Sequence, residues 1–482
     1  MANCTPIALE LEPGRRAGPF VLGADLRDVL ALLRTGALRT TVTDVALKYD
    51  AGARRDTDLL LDIPRHGVLL RFAQHTQRLV AIEVYAFHAV RLAFAGEVLT
   101  DPPPTPCPYP PSPSPSSASP AAGGAGANQQ QQQQQHNQQQ QQQGARGDVV
   151  APLADSVYFQ SGAVEVSPAY EDIIAQATRA QYRVPTFVEI YRLFRPTYPG
   201  TYRDLADGRV LYTLRYPGIA FVFEIPERWR GLARTKDHPI EFPDKTSASV
   251  LRVVLAPAVP EDQEQQEQQE EGNSHKEEED AALGVPLCPR RRMEVRFGRG
   301  LALGDGGVLA FGDSAQDVVA ALGEPDSQYL KQAGPMRGFG GSSSTANGEN
   351  SSNAGTPPPD VFFNYFGYGL DVLLDGTRFV VKKFVLHANH PHHKDFGRYS
   401  KALWRARAAP DAPAIDVDST WAEVRAALAP ARPSGEPLVN SASSADSPFG
   451  TTFFHAYESQ GAVFEVMQND RVATMAFFPA HM

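Results

Sequence analysis

Only three cysteines occur in 482 residues, Cys4, Cys107 and Cys288, each far from the next. So spaced, they supply neither a disulfide framework nor a zinc-ligand set, which suits a reducing compartment. The N-terminus "MANCTPIALELEPGRRAGPF" lacks a basic region followed by an apolar core, so no secretory signal is read. No run of about 18 uncharged apolar residues occurs, and no transmembrane segment is expected. Positive charge is in short supply. Forty-five Lys and Arg face 55 Asp and Glu, a net charge of -10, which argues against a bulk nucleic-acid binder. Trp229, Trp404 and Trp421 stand apart, so no stacking platform for single strands emerges. Also missing are GxSxG, P-loop, HExxH, CxxC and Rossmann signatures. The glycine-dense "FGRGLALGDGG" at 297–307 lacks the terminal Lys-Ser/Thr of a P-loop and reads as a turn-rich connector. The expectation is a soluble cytoplasmic protein, not an enzyme, with no cofactor.

Low complexity divides the chain. Residues 101–154 run from "DPPPTPCPYPPSPSPSSASP" into a glutamine tract at Gln129–Gln143, and read as a disordered linker. Residues 258–285 form an acidic, glutamine-rich linker without aromatics. A third insert covers 338–359, and "NSASSADS" begins at Asn440. What lies between them reads as four domains, 1–100, 155–257, 286–410 and 411–482.

Those four parts repeat. Each has a glycine followed by alternating apolar residues: Gly67–Phe72, Gly218–Phe223, Gly369–Leu374 and Gly461–Val466. Before each lies an apolar run ("TDLLLDI", "RVLYTLRY", "DVFFNYFGY", "GTTFFHAY"), and after each another ("RLVAIEVYAF", "SASVLRVVLA", "FVVKKFVLH", "RVATMAFF"). Period-two alternation with β-branched and aromatic residues marks antiparallel strands. One short amphipathic helix precedes each triplet. In "FGDSAQDVVAALGEP", Asp313 or Ser314 caps, Val318, Val319 and Leu322 form the apolar face, Gly323 suits a left-handed end and Pro325 stops the helix. "LGADLRDVLALLRTG" presents Leu26, Val29, Leu30 and Leu33 in the same way, and "DSTWAEVRAALAPARP" presents Trp421, Val424 and Leu428. "VPTFVEIYRLFRPTYPG" is the most degenerate copy. The fold class is therefore α+β: four degenerate repeats of one short helix plus an antiparallel β-sheet, paired into two lobes and separated by long disordered inserts. The pattern is similar to the small α+β module of outer-membrane assembly lipoproteins and β-lactamase inhibitor proteins, a likeness of fold alone.

The chemistry search returns one stretch, "KKFVLHANHPHHKDF" at 382–396, with His387, His390, His392 and His393. Pro391 interrupts any helix that would bring them to one face, and no cysteine is near. It reads as a structural or binding loop ahead of a metal site. Lys382 and Lys383, adjacent on a strand, face opposite ways. They either protect a sheet edge or, with Lys394, Arg398 and Lys401, form a basic site for an anionic lipid headgroup or an acidic partner. Asn469-Asp470 reads as a hairpin turn.

"FGDSAQDVVAALGEP", "FFNYFGYGLDVLLDG", "VKKFVLHANHP" and "PFGTTFFHAYESQGAVFEVMQND" together resemble the phagophore assembly factor family. "FVLGADLRDVLALL", "TYPGTY" and "PGIAFVFEIP" fall in the same order, so the resemblance runs from about residue 7 to 479. It implies a non-enzymatic adaptor or scaffold in autophagosome formation. Such a factor acts with a β-propeller partner of the autophagy machinery that recognises phosphoinositides, and is recruited peripherally to the phagophore assembly site. His387, Asn389, Pro391, His393 and Phe396 fit the family's pattern, while His390 and His392 depart from it. The candidate partner- or lipid-binding loop is thus Lys382, Lys383, His387, Asn389, His393 and Lys394. Exposed sheet edges and a groove between lobes are the expected docking places. The alternatives are a direct phosphoinositide-binding module in vesicle trafficking and, from another class, a metal-dependent enzyme using His387–His393.

Overall fold

The computed structural model describes residues 6–331 and 358–480 apart from 43, 50–57, 101–182, 198, 206–207, 232–238, 259–290, 430 and 441–449. It adds the backbone of the strands Asn3–Cys4, Thr105–Pro106 and Val157–Ser161. The expected linkers and inserts lie almost wholly outside the described residues. The chain divides into two units, Met1–Pro286 and Leu287–Met482.

In the first unit, helix α1 (Leu26–Arg34) leads into β1 (Val45–Tyr49), β2 (Leu59–Ile63), β3 (Val68–Phe72) and β4 (Leu79–Val84). After β5 (Val157–Ser161), helix α2 (Phe187–Phe194) leads into β6 (Thr201–Asp204), β7 (Val210–Tyr216), β8 (Ile219–Ile225) and β9 (Ser249–Leu255). All nine strands form one sheet in the order β5-β1-β2-β3-β4-β9-β8-β7-β6. The two repeats meet at their last strands, with Val84 opposite Val253 and Ile82 opposite Leu255 in antiparallel register. β5 pairs in parallel with β1, at the far edge from the second repeat.

The second unit repeats the plan. Helix α3 (Ala315–Leu322) precedes β10 (Ser327–Leu330), β11 (Val361–Tyr365), β12 (Leu370–Leu374) and β13 (Val381–His387). Helix α4 (Trp421–Leu428) precedes β14 (Leu438–Val439), β15 (Thr452–Tyr457), β16 (Ala462–Met467) and β17 (Val472–Phe477). The eight strands run β10-β11-β12-β13-β17-β16-β15-β14, again joined last strand to last strand. At this seam Phe384 stacks on Phe477 with centroids 5.2 Å apart. β13 is therefore interior, and edge protection is no explanation of its lysines.

The repeats share details that only a common backbone plan explains. In every copy the pairing of the two last strands carries a β-bulge, at Arg71/Phe72, Val222/Phe223, Leu373/Leu374 and Glu465/Val466. The residue at each helix start bridges to the chain entering the last strand: Asp25 to Arg78, Thr186 to Ser249, Ser314 to Val380 and Thr420 to Arg471. The turn before each last strand holds a left-handed residue, Gln77, Lys245, Phe379 or Asp470. Glycine is required at the turn into the second long strand. At Gly369 (φ +66°) a Cβ would lie 2.3 Å from the Ser400 carbonyl oxygen, and at Gly461 (φ +61°) 2.3 Å from that of Phe478.

The helices are short and depend on capping and one buried face. Thr186, Ser314 and Thr420 each close a capping box with an acid three residues on. Leu26, Val29, Leu30 and Leu33 are buried on α1, as are Val318 and Leu322 on α3 and Trp421, Val424 and Leu428 on α4. Each full burial is worth roughly 1.5–3 kcal/mol against exposure. Gly323 follows α3 at φ +87° and ψ -170°, so it leaves the helix in a glycine-only extended conformation instead of the expected left-handed turn.

Each unit also carries a small sheet that the strand triplets do not foretell. In the first, Ile7–Glu12 pairs in parallel with Val90–Phe94. In the second, Arg292–Arg296 pairs in parallel with Leu403–Ala406 and antiparallel with Gly300–Leu303. The glycine-dense 297–307 stretch is thus a hairpin with a strand in it, not a mere connector.

Candidate functional site

β13 leaves the middle of its sheet at His387, and the chain then crosses that sheet before returning as the strand Leu403–Ala406. Its backbone is pinned along the way. Ala388 N–H donates to Ala473 O at 2.9 Å, Ser400 N–H to Phe366 O at 2.8 Å and Ala402 N–H to His387 O at 2.9 Å. Asn389 turns the chain at φ +47°, a conformation Asn tolerates, and its Oδ1 accepts from Gly397 N–H at 2.8 Å. Pro391, Phe396 and Tyr399, all within this loop, are buried.

Beneath it lie two buried carboxylates on the sheet face that points away from α3 and α4. Asp371 on β12 accepts from Asn364 Nδ2 at 2.7 Å, from the Tyr399 hydroxyl at 2.9 Å and from His387 Nε2 at 2.9 Å. The His387 and Tyr399 rings stack at 3.7 Å. Burial, and then the Asp371 charge, push the Tyr399 hydroxyl well above the usual phenol range. Glu465 on β16 accepts from Thr452 Oγ1 at 2.7 Å, Asn440 Nδ2 at 2.8 Å, Thr474 Oγ1 at 2.9 Å and His393 Nε2 at 3.3 Å. Burial alone would raise its pKa, but His393 and the threonine hydroxyls outweigh it and hold the carboxyl down to about 2.

His387 and His393 therefore diverge: His387 serves Asp371 and His393 serves Glu465. The His390 ring is held down to about 3, first by burial and then by the nearby charges of Arg471 and other cations. Among the described residues no three His, Cys, Asp or Glu side chains gather as metal ligands. The two carboxylates have their lone pairs committed to hydrogen-bond donors, an arrangement that clamps a loop to a sheet.

The lysines occupy unlike places. Lys382 reaches Asp360 at 3.1 Å and Asp375 at 3.4 Å, and the Asp360 hydrogen bond raises its pKa. Lys383 points to the loop-covered face, above the Phe362 ring at 5.7 Å, and burial lowers its pKa. Lys394 is exposed with Asp395 3.8 Å away, Arg398 lies over the Phe366 ring, and Lys401 is buried against Asp418. The histidine stretch marked the loop in the sequence, but Asp371, Glu465, Asn364, Tyr399, Asn440, Thr452 and Thr474 were not read as its partners. A signal exists in "GLDVLLDG" and "GAVFEVM": one acid in the middle of an otherwise apolar strand.

Fold and site define a protein of two α+β units, each a pair of helix-bearing repeats sharing one sheet, with a clamped loop on the second. The chain belongs to the phagosome assembly factor 1 (PHAF1) family, whose model matches residues 16–107 and 174–478. It is similar to a PHAF1 protein of Arabidopsis thaliana, 27% identical over 490 residues that cover 97% of this chain and 92% of the relative. A PHAF1 protein of Drosophila melanogaster is 24% identical, covering 98% and 95% of the two chains. One from Caenorhabditis elegans is 27% identical, covering 61% and 70%. No solved structure matches. Among the described residues no helix is long and apolar enough to cross a membrane.

Proposed function

We propose that this protein is a non-enzymatic adaptor in autophagosome formation, recruited peripherally to the phagophore assembly site by a β-propeller partner that recognises phosphoinositides. The observation that carries the reading is the family match, which takes in all four repeats. The site chemistry supports it, because both buried carboxylates are saturated by donors that shape a loop. The exposed rim of that loop, Lys394 with Arg398, is the surface we assign to the partner. His387, Asn389 and His393 act from beneath by fixing its shape.

Direct contact with an anionic headgroup is the competing reading. The pairing of Lys382 with two aspartates and the half-buried position of Lys383 leave little free charge for it. Affinity purification from the protein's own cells, with and without the low-complexity inserts, tests the adaptor. Recovery of a propeller protein from both samples supports it, and recovery from neither overturns it. Salt-sensitive flotation of the purified chain with phosphoinositide vesicles would move the assignment to the lipid reading.

A further inference from the structure

We propose that the outer edge of β10 receives an acidic peptide in extended conformation, which adds antiparallel to the eight-stranded sheet and sets its carboxylates against Lys331 and Lys383. β10 ends the sheet, and among the described residues nothing pairs with its outer side. The phase of the ladder says which groups face outward. Lys331 N–H donates to Asp360 O at 2.8 Å, so 331/360 is a hydrogen-bonded pair. Alternation along the unbroken register then makes 329/362 and 327/364 bonded pairs, and the N–H and C=O of Gln328 and Leu330 point away from β11. Those groups meet no other partner among the described residues. Natural edges are blunted by proline, a bulge or charge along the strand, and Ser327–Leu330 carries none of these. Tyr329 and Leu330 are each 58% exposed, one on either face of the sheet.

The register also places the charge beside this edge. Tyr329, Phe362, Leu373 and Lys383 stand opposite one another in turn, one row across β10, β11, β12 and β13 on the loop-covered face. Lys331 joins that face two residues beyond Tyr329. The Lys383 ammonium leans back along the row, 5.7 Å from the centre of the Phe362 ring. The acids nearby are engaged. Asp360 accepts from Lys382 and from Gly376 N–H, and Asp375 holds Lys382 and accepts from Thr377 and Arg378 N–H. Asp371 is taken by Asn364, His387 and Tyr399. Lys331 and Lys383 have no ion pair and no side-chain hydrogen bond among the described residues. Burial, and then the charge of Lys331, lower the Lys383 pKa, so two cations face each other with no anion to satisfy them. An added strand lies about 4.8 Å outside β10. A glutamate on its loop-covered side meets Lys331 directly and extends across Tyr329 toward Lys383, while an apolar residue at the next position covers Leu330 on the other face. The half-buried position that withdraws Lys383 from a flat membrane is met by a side chain entering along the sheet.

This assignment does not rest on the adaptor reading, and its test needs no propeller partner. Fluorescence anisotropy with the purified full chain would use a labelled peptide of about eight residues that alternates glutamate and valine. The expected result is binding that weakens with salt, no binding of the lysine–valine counterpart, and at least tenfold weaker binding to Lys331→Glu, an exposed substitution. Lys383→Met keeps the apolar stem and removes the charge, and should also weaken binding. Two modified peptides test strand addition without altering the protein. In the antiparallel register the valine N–H groups face β10 and the glutamate N–H groups face away. N-methylation at the valines should therefore abolish binding, whereas N-methylation at the glutamates should leave it intact. Equal binding of the acidic and basic peptides, binding of neither, undiminished binding to Lys331→Glu, or full binding of the valine-methylated peptide would each overturn the proposal. Dimerisation of the chain that Leu330→Lys abolishes, with no peptide bound, would give the edge to a second copy instead.

Discussion

Glu465 offers the sharpest test of the clamp. It is 5% exposed, lies in the sheet interior and accepts from four side chains, so its charge is both desolvated and compensated. A fall from the ordinary 4.5 to about 2, at about 1.4 kcal/mol per pH unit, makes the folded-state preference for the carboxylate worth about 3 kcal/mol. The folded pKa is depressed, so this contribution is complete above the unfolded value near 4.5 and is lost as pH falls toward about 2. Glu465→Gln keeps the shape but turns an amide N–H₂ toward groups that need an acceptor. The expected cost at pH 7 is roughly 2–4 kcal/mol, shrinking as the wild type itself protonates. Urea denaturation followed by tryptophan fluorescence is the assay, since Trp404 and Trp421 both lie in the second unit's core. The gap between the two proteins should be nearly the same at pH 7 and pH 5 and should narrow at pH 3. A pH 7 difference under about 1 kcal/mol, or a gap at pH 3 as wide as that at pH 5, would refute the reasoning.

Three further outcomes follow from the geometry. Tyr399→Phe deletes a buried donor to Asp371 and should cost about 1–3 kcal/mol, read as a lower urea midpoint at unchanged slope. Gly369→Ala combines a left-handed backbone with a Cβ 2.3 Å from the Ser400 carbonyl and 2.7 Å from Ala402 N, so a loss above about 3 kcal/mol and faster hydrogen exchange in 388–402 are expected. Phe379 sits at φ +52° with half its surface exposed. Phe379→Asn should therefore raise the thermal midpoint by relieving about 1 kcal/mol of strain with little burial lost.

The three long strands of every repeat were legible because each carries period-two alternation around a glycine that its turn requires. Their helices were legible because Leu26, Val29, Leu30 and Leu33, or Trp421, Val424 and Leu428, recur at helical spacing. What escaped was short or paired over long distances. β10 and β14 are four- and two-residue edge strands whose side chains are mostly exposed, so no alternation marks them. The parallel pairing of Arg292–Arg296 with Leu403–Ala406 joins segments more than a hundred residues apart, and no local pattern encodes it.

The same limit governs the site. The histidines advertised themselves by density, yet their roles depend on which strand lies beneath each ring. That is fixed only once β12, β13, β17 and β16 are in register. His387 meets Asp371 because β13 pairs with β12, and His393 meets Glu465 only because the loop crosses the seam between repeats. The loop therefore takes one clamp from each repeat. Its shape reports that the two halves of the sheet are joined, and a partner reading the rim at Lys394 and Arg398 would sense the integrity of the whole second unit.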